Sequence, residues 1–324
     1  MRIGYFADGP WSHLALERIV ADGRFQIAFI VPRFDTRDPV LAQWAARLGV
    51  DFLAIEKVNA PESIKLVSRY GADVFVSMSF NQILKRPILD VAPQGFINCH
   101  AGALPFYRGR NILNWALING ADEFGVTVHY VDEGIDTGDI ILQNMQAILS
   151  DDTYASLLDK AVVLCADTLL KSLVLIKEAR VKRIAQTDIH PVGFYCCRRV
   201  DGDEWIDWNW TSERIFNFVR AISAPGPGAR TVCAGNEIVV QKAAIIPGAP
   251  AYIGTPGEVV GVRDGGIVVK TGDASILLKE LDGAPLRYRI GLRFDLKPVR
   301  MLALESRIAE LEKIVSALSG ESQK

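Results

Sequence analysis

Cysteine and histidine are scarce in this chain, at five and four residues among 324. The cysteines are odd in number, none stands in a C-x-x-C pair, and the adjacent Cys196 and Cys197 cannot readily bridge each other. That usage speaks against a disulfide framework and fits reduced thiols in a cytosolic protein. The histidines are too scattered for a metal cluster, so no metal is expected. No apolar run is long enough to span a bilayer. The opening MRIGYFADG lacks the basic and apolar blocks of a secretory signal. A cytoplasmic location without a membrane partner is expected. A formal net charge of -2 gives no general attraction for polyanions and argues against nucleic acid as a partner. The first strand–helix turn, Asp8-Gly9-Pro10, lacks G-x-G-x-x-G, so no nicotinamide cofactor is expected.

What is present is an ordinary globular composition, 49% apolar and 23% charged, over a length that suggests two domains. Apolar runs at 2–7, 25–31, 51–55 and 74–77 alternate with helical patterns at 13–21, 39–48 and 62–70. That alternation predicts a Rossmann-like α/β domain over 1–185, its mostly parallel sheet covered on both faces. Ser12 is placed to cap the first helix, and residues 8–12 also lie where a substrate could approach. An amphipathic helix is predicted over 153–177. Pro191 and Gly193 punctuate a connection over 186–204, and Tyr195, Arg198 and Arg199 near its end can reach back to the first domain. After WIDWNW and a helix over 212–221, β runs at 229–233, 237–243, 258–262, 266–270 and 276–281 with glycine turns predict a small OB-like barrel over 205–300. Finally, an amphipathic helix is expected over 301–324. Met301, Leu304, Ile308, Leu311, Val315 and Leu318 recur there at heptad spacing, with Glu305, Arg307, Glu310, Glu312 and Lys313 on the other faces. A homodimer is the expectation, and docking of that helix on its own chain is the competitor.

The chemistry concentrates in residues 96–142, FINCHAGALPFYRGRNILNWALINGADEFGVTVHYVDEGIDTGDIIL. Asn98 and His100 are two apart, so on one strand they share a face, with Cys99 on the other. Gly102 and Pro105 must end that strand. Residues 126–131, VTVHYV, read as a second strand delivering Gly134 and Asp136 into a loop; strand ends are where parallel sheets place ligands. His129, in the middle of that strand, reads as packed rather than catalytic. Asp132 is the fallback for Asp136. An imidazole is the usual general base near neutral pH. A carboxylate beside it orients it and favours its protonated form, and an amide N–H can hold a developing oxyanion. No serine or cysteine is paired with His100, which suits direct attack by an amine on an acyl donor without a covalent intermediate.

The Asn-x-His pair, the RGR-x-x-x-NW segment and the DTGDI loop, in that order, resemble the formyltransferases that use N10-formyltetrahydrofolate. The C-terminal stretch 205–228 looks like that family as well. The resemblance implies that Asn98, His100 and Asp136 form the catalytic triad and that N10-formyltetrahydrofolate is the formyl donor. It implies a folate-side loop at 79–84, so Phe80, Asn81, Gln82, Ile83 and Leu84, with Val131, Gly134 and Ile135, are expected to contact the donor. Tyr107, Arg108, Gly109, Arg110 and Asn111 are expected at the acceptor, where an arginine can meet a phosphate and Tyr107 can stack on a base or sugar. The RGR-x-x-x-NW wording is most similar to the nucleotide-sugar N-formyltransferases, and 32–41 lacks the longer basic insertion of the tRNA enzymes. A nucleotide-linked amino sugar is therefore the expected acceptor. Methionyl-tRNA is the runner-up, and a non-catalytic folate or nucleotide-sugar binding protein is a further alternative.

Overall fold

The computed structural model describes residues 1–283, 287–295 and 299–321, with side chains of the last helix described over 303–316. It divides into two compact units, the first covering most of 1–199 and the second most of 200–324.

The first unit runs β1 (Arg2–Ala7), α1 (Gly9–Asp22), β2 (Gln26–Pro32), α2 (Pro39–Leu48), β3 (Asp51–Phe52), α3 (Pro61–Ser68), β4 (Val74–Met78), α4 (Arg86–Leu89) and β5 (Phe96–His100). There follow β6 (Arg108–Gly109), α5 (Ile112–Ile118), β7 (Glu123–Tyr130), β8 (Ile140–Ala147), α6 (Tyr154–Lys177), α7 (Gln186–Ile189) and β9 (Tyr195–Cys196). Seven strands form one sheet in the order β3-β2-β1-β4-β5-β7-β8. It is parallel from β3 to β5, whereas β7 runs antiparallel to both of its neighbours, β5 and β8. Alternating strand residues feed two separate cores, as burial on both faces requires. On one face Tyr5, Val76 and Ile97 pack with Leu16 and Ile19 of α1 and Leu169 and Leu173 of α6. On the other, Phe6, Phe29, Phe75 and Phe96 form an aromatic cluster with Val67 of α3 and Ile88 of α4.

Two local expectations give way. Ser12 does not cap α1: the helix already starts at Gly9, Asp8 takes the N-cap position, and Pro10 pre-sets the first turn. Ser12 lies inside the helix, buried, and donates to the Gly9 carbonyl at 2.8 Å. The stretch read as a connection, 186–204, is folded onto the first unit as far as Arg199, with β9 laid parallel against β6.

In the second unit Thr211 caps α8 (Ser212–Ile222), its side chain accepting from Arg214 N–H. Then come β10 (Ala229–Cys233), β11 (Asn236–Ile245), β12 (Val259–Arg263), β13 (Gly266–Lys270), β14 (Ser275–Gly283) and β15 (Phe294–Asp295). They form a six-stranded antiparallel sheet in the order β12-β13-β14-β11-β10-β15. The sheet curls: Val259 N–H donates to Leu292 O at 2.8 Å and Phe294 N–H to Gly257 O at 2.9 Å, so the two edge segments bond to each other. Trp208 and Phe294 stack inside it at 5.3 Å between ring centroids. The final helix, α9, spans Val299–Glu321; residues 322–324 of the predicted helix lie outside the described residues. Among the described residues no helix is long and apolar enough to cross a membrane.

Candidate active site

Asn98 and His100 both lie on β5, and Asn98 pairs across to His129 of β7 in an antiparallel register. Because β7 runs against β5, it leaves the sheet at the end opposite His100. The loop 131–139 must therefore fold back for Asp136 to arrive. Gly138 permits the return, since a Cβ there would lie 1.9 Å from the Tyr130 carbonyl. Asp136 itself has φ +55, a conformation rarely held without a surrounding that enforces it.

The result is one carboxylate between two imidazoles. Asp136 Oδ2 lies 3.6 Å from His100 Nδ1 and Oδ1 lies 3.5 Å from His129 Nε2. Asn98 Nδ2 is 3.4 Å from Asp136 Oδ1 and 3.3 Å from His129 Nε2. The Gly109 N–H donates to Oδ2 at 2.9 Å. Burial alone would raise the Asp136 carboxyl, but the imidazoles of His100 and His129 and the Gly109 N–H outweigh it. They hold the group well below the usual carboxylate range. A carbonyl can only accept, so His129 donates from Nδ1 to Tyr130 O and His100 from Nε2 to Tyr107 O, both at 2.7 Å. Nε2 of His129 and Nδ1 of His100 are then the ring nitrogens that face the Asp136 carboxylate. The triad expected from sequence is brought together. His129 joins it while being only 2% exposed; a packed histidine and a site histidine are here the same residue. Asp132 is not the carboxylate of the site, because its Oδ1 closes the loop on Gly134 N–H and the Thr137 hydroxyl.

The RGR segment is laid against the former connection. Arg108 N–H donates to Phe194 O at 3.2 Å and Arg110 N–H to Cys196 O at 3.1 Å. Tyr107 packs edge-on to Phe194, and Asn111 Oδ1 accepts Arg199 N–H. The two arginines separate. Arg108 is buried, its guanidinium committed to Gln186 Oε1 at 2.7 and 3.0 Å and placed over the Tyr195 ring, whereas Arg110 is exposed. Arg108 is thus a structural arginine, because a buried guanidinium needs acceptors and these are the ones within reach. Sequence reasoning missed Gln186. Only 3% exposed, it accepts from Arg108 and donates from Nε2 to Asp136 O at 2.8 Å and Gly138 O at 2.9 Å. The amide thereby pegs the Asp136 loop and Arg108 together. The residues lie far apart in the chain, so no local pattern could have revealed the contact.

On the other side of the triad lies the loop 79–85, with α4 starting only at Arg86. Phe80 and Val131 both pack on the rim of the phenylalanine cluster, and Leu84 is buried in it. Ile83 and Ile135 are 64% and 53% exposed. The Gln82 amide is committed within the chain, accepting from Val58 N–H and donating to Ile55 O, while Asn81 Nδ2 donates to Asp35. Gly134 turns the second loop, where a Cβ would lie 2.0 Å from Thr137 Oγ1. Apolar side chains on two loops, bordering buried amide and imidazole groups, suit a flat ring with polar edges.

A depressed carboxylate, two imidazoles and an amide N–H thus converge at one place on an α/β sheet. The family model described as formyl transferase matches residues 36–171, and that of the formyl transferase C-terminal domain matches 200–286. A methionyl-tRNA formyltransferase of Ruminiclostridium cellulolyticum is 34% identical over 288 residues, 87% of this chain and 91% of that protein. Another, of Geobacter sulfurreducens, is 36% identical over 225 residues, 69% of each. Among solved structures, a sugar 3N-formyl transferase with dTDP and 5-N-formyl-THF has TM-score 0.64 at 22% identity, covering 86% of this chain and 97% of that one. The Helicobacter canadensis N-formyltransferase with folinic acid and dTDP-3-aminofucose has TM-score 0.65 at 19% identity, covering 86% and 98%. This chain belongs to the formyl transferase family and is an N-formyltransferase.

Proposed function

We propose that this enzyme moves a formyl group from N10-formyltetrahydrofolate to the primary amine of a nucleotide-linked amino sugar. The observation that carries the choice of acceptor is the position of Arg110. It is exposed, and it directly follows Gly109, whose N–H holds the site carboxylate. An exposed cation next in sequence to the residue that holds the carboxylate suits a compact diphosphate. A tRNA needs many phosphate contacts. Segment 33–38, where a basic arm would sit, is tied up by its own acids. Asp38 caps α2 and binds Gly9 N–H and His13 Nε2, each at 2.7 Å, and Asp35 pairs with Arg33 at 2.8 Å.

When bound, the folate supplies an acyl carbon open to attack by a neutral amine. Phe80, Val131, Ile83 and Ile135 are the side chains that would hold its ring, with backbone of 79–85 at the ring edge. Asn98 Nδ2 is the neutral N–H available to the developing oxyanion. His100 handles the proton, and Asp136, ionised between the imidazoles, steadies the ring as it becomes charged. His129 and the Gly109 N–H fix that carboxylate.

The relatives named methionyl-tRNA formyltransferase favour a second reading, in which the acceptor is charged tRNA. A panel of nucleotide-linked amino sugars and charged methionyl-tRNA, each scored for mass gain of one formyl group, separates the two. At least one amino sugar is expected to be formylated and the tRNA not. Efficient formylation of methionyl-tRNA with no sugar accepted would replace the proposal. In the same assay Arg110→Ala is expected to raise KM for the sugar about tenfold while leaving KM for the folate unchanged.

A further inference from the structure

Helix α9 lies beyond the segment matched by the C-terminal family model, which ends at residue 286. It carries an apolar stripe open to solvent: Leu304, Ile308, Leu311 and Val315 are 53%, 54%, 46% and 63% exposed. Their spacing of four, three and four places Leu304 and Leu311 at d and Ile308 and Val315 at a of a heptad. Ile314, at a g position, widens the stripe and is 47% exposed. β-Branched residues at a with leucine at d favour two parallel strands over higher assemblies.

The charges choose the partner. In this register Arg307 stands at g, while Glu305 and Glu312 stand at e. A parallel, in-register pair sets each g residue against the e' residue five positions on, so Arg307 of one copy meets Glu312 of the other, twice by symmetry. In sequence, Arg300 and Glu305 repeat the same order one heptad earlier. An antiparallel pair would instead set g against g' and e against e', arginine on arginine and glutamate on glutamate. Arg307 now bonds Glu310 of its own chain at 2.5 Å, both side chains being about 60% exposed. Such a surface pair is worth little and is readily exchanged. At 23 residues, about 35 Å of helix, α9 supplies about three heptads. We infer that α9 is a dimerisation element that pairs with α9 of a second copy of this chain as a parallel, in-register coiled coil.

The test is sedimentation equilibrium of the full chain at micromolar concentration, with circular dichroism to confirm folding. The unsubstituted protein is expected at twice its 35.6 kDa chain mass. Arg307→Glu and Glu312→Arg, taken singly, each replace attraction with repulsion and are expected to weaken self-association about tenfold. Mixing the two single variants, or combining both changes in one chain, restores the pairing and the dimer mass. A single-chain mass for the unsubstituted protein would overturn the inference. So would a dimer indifferent to both reversals, or a mixture that associates no better than either variant alone.

Discussion

Each unit contains a carboxylate held well below its ordinary range, and the two are held in opposite ways. Asp273 in the second unit would be raised by burial, but donors outnumber that effect: Ser212 N–H at 2.8 Å, Ala274 N–H at 2.7 Å, the Thr271 hydroxyl at 2.9 Å and the Ser212 hydroxyl at 3.2 Å. They bring it to about 2. None of those groups titrates near neutral pH, so the cluster stays as it is and ties the 271–274 turn to the start of α8. Asp136 is held mainly by two imidazoles at 3.5 and 3.6 Å, with one short bond, from Gly109 N–H. Its side-chain contacts are longer than those of Asp273 and come from rings rather than from a turn. On the proposed function, a low carboxylate pKa marks structure in one place and chemistry in the other, and the identity of the donors tells them apart.

The largest expected effect comes from removing the charge on the chemical side. Asp136→Asn should lower turnover about a hundredfold or more, with the melting temperature nearly unchanged; steady-state formylation and thermal melts check both halves. Next is Gln186→Glu, which keeps an acceptor for Arg108 but loses the two donations to Asp136 O and Gly138 O. We expect kcat to fall about tenfold with KM for both substrates little changed, because only the carboxylate's aim is disturbed. Gln186→Met also strands Arg108 and should melt lower, by the equivalent of about 1–3 kcal/mol. If Gln186→Glu left kcat intact while both variants merely melted lower, the peg would be structural alone.

The smallest effect separates the two carboxylates by pH. The folded Asp273 lies near 2, below its ordinary value, so its contribution to stability is present above about pH 4 and lost as pH falls toward about 2. The difference in melting temperature between the wild type and Asp273→Asn should close over that interval, with turnover at neutral pH the same in both. A gap that persists at pH 2 would mean that the asparagine disrupts the turn for another reason.

Much of this arrangement was legible in residues. The runs at 2–7, 229–233 and 266–270 became β1, β10 and β13 with the same bounds, because short runs of apolar, aromatic and β-branched residues between turn residues leave little choice. Asn98 and His100 followed from a spacing of two, and Asp136 from the resemblance of DTGDI. His129 is packed, as its place in mid-strand suggests, but its approach to Asp136 rests on strand register, Asn98 against His129, which a single strand does not display. The two arginines of RGR looked equivalent because the acceptor that claims Arg108, Gln186, lies 78 positions away. Residues 186–199 read as a connection because, beyond the short α7, what anchors them is bonding to distant segments, β6 and the Asp136 loop.

On the proposed function, catalysis runs through the imidazole–carboxylate cluster on β5, β7 and the 131–139 loop. The most direct test is the rate of formyl transfer to the best-accepted amine by wild-type, Asp273→Asn and His100→Ala protein, each shown folded by its melt. Equal rates are expected for the first two and a rate lower by about a hundredfold or more for His100→Ala. A folded His100→Ala enzyme turning over near the wild-type rate would contradict this.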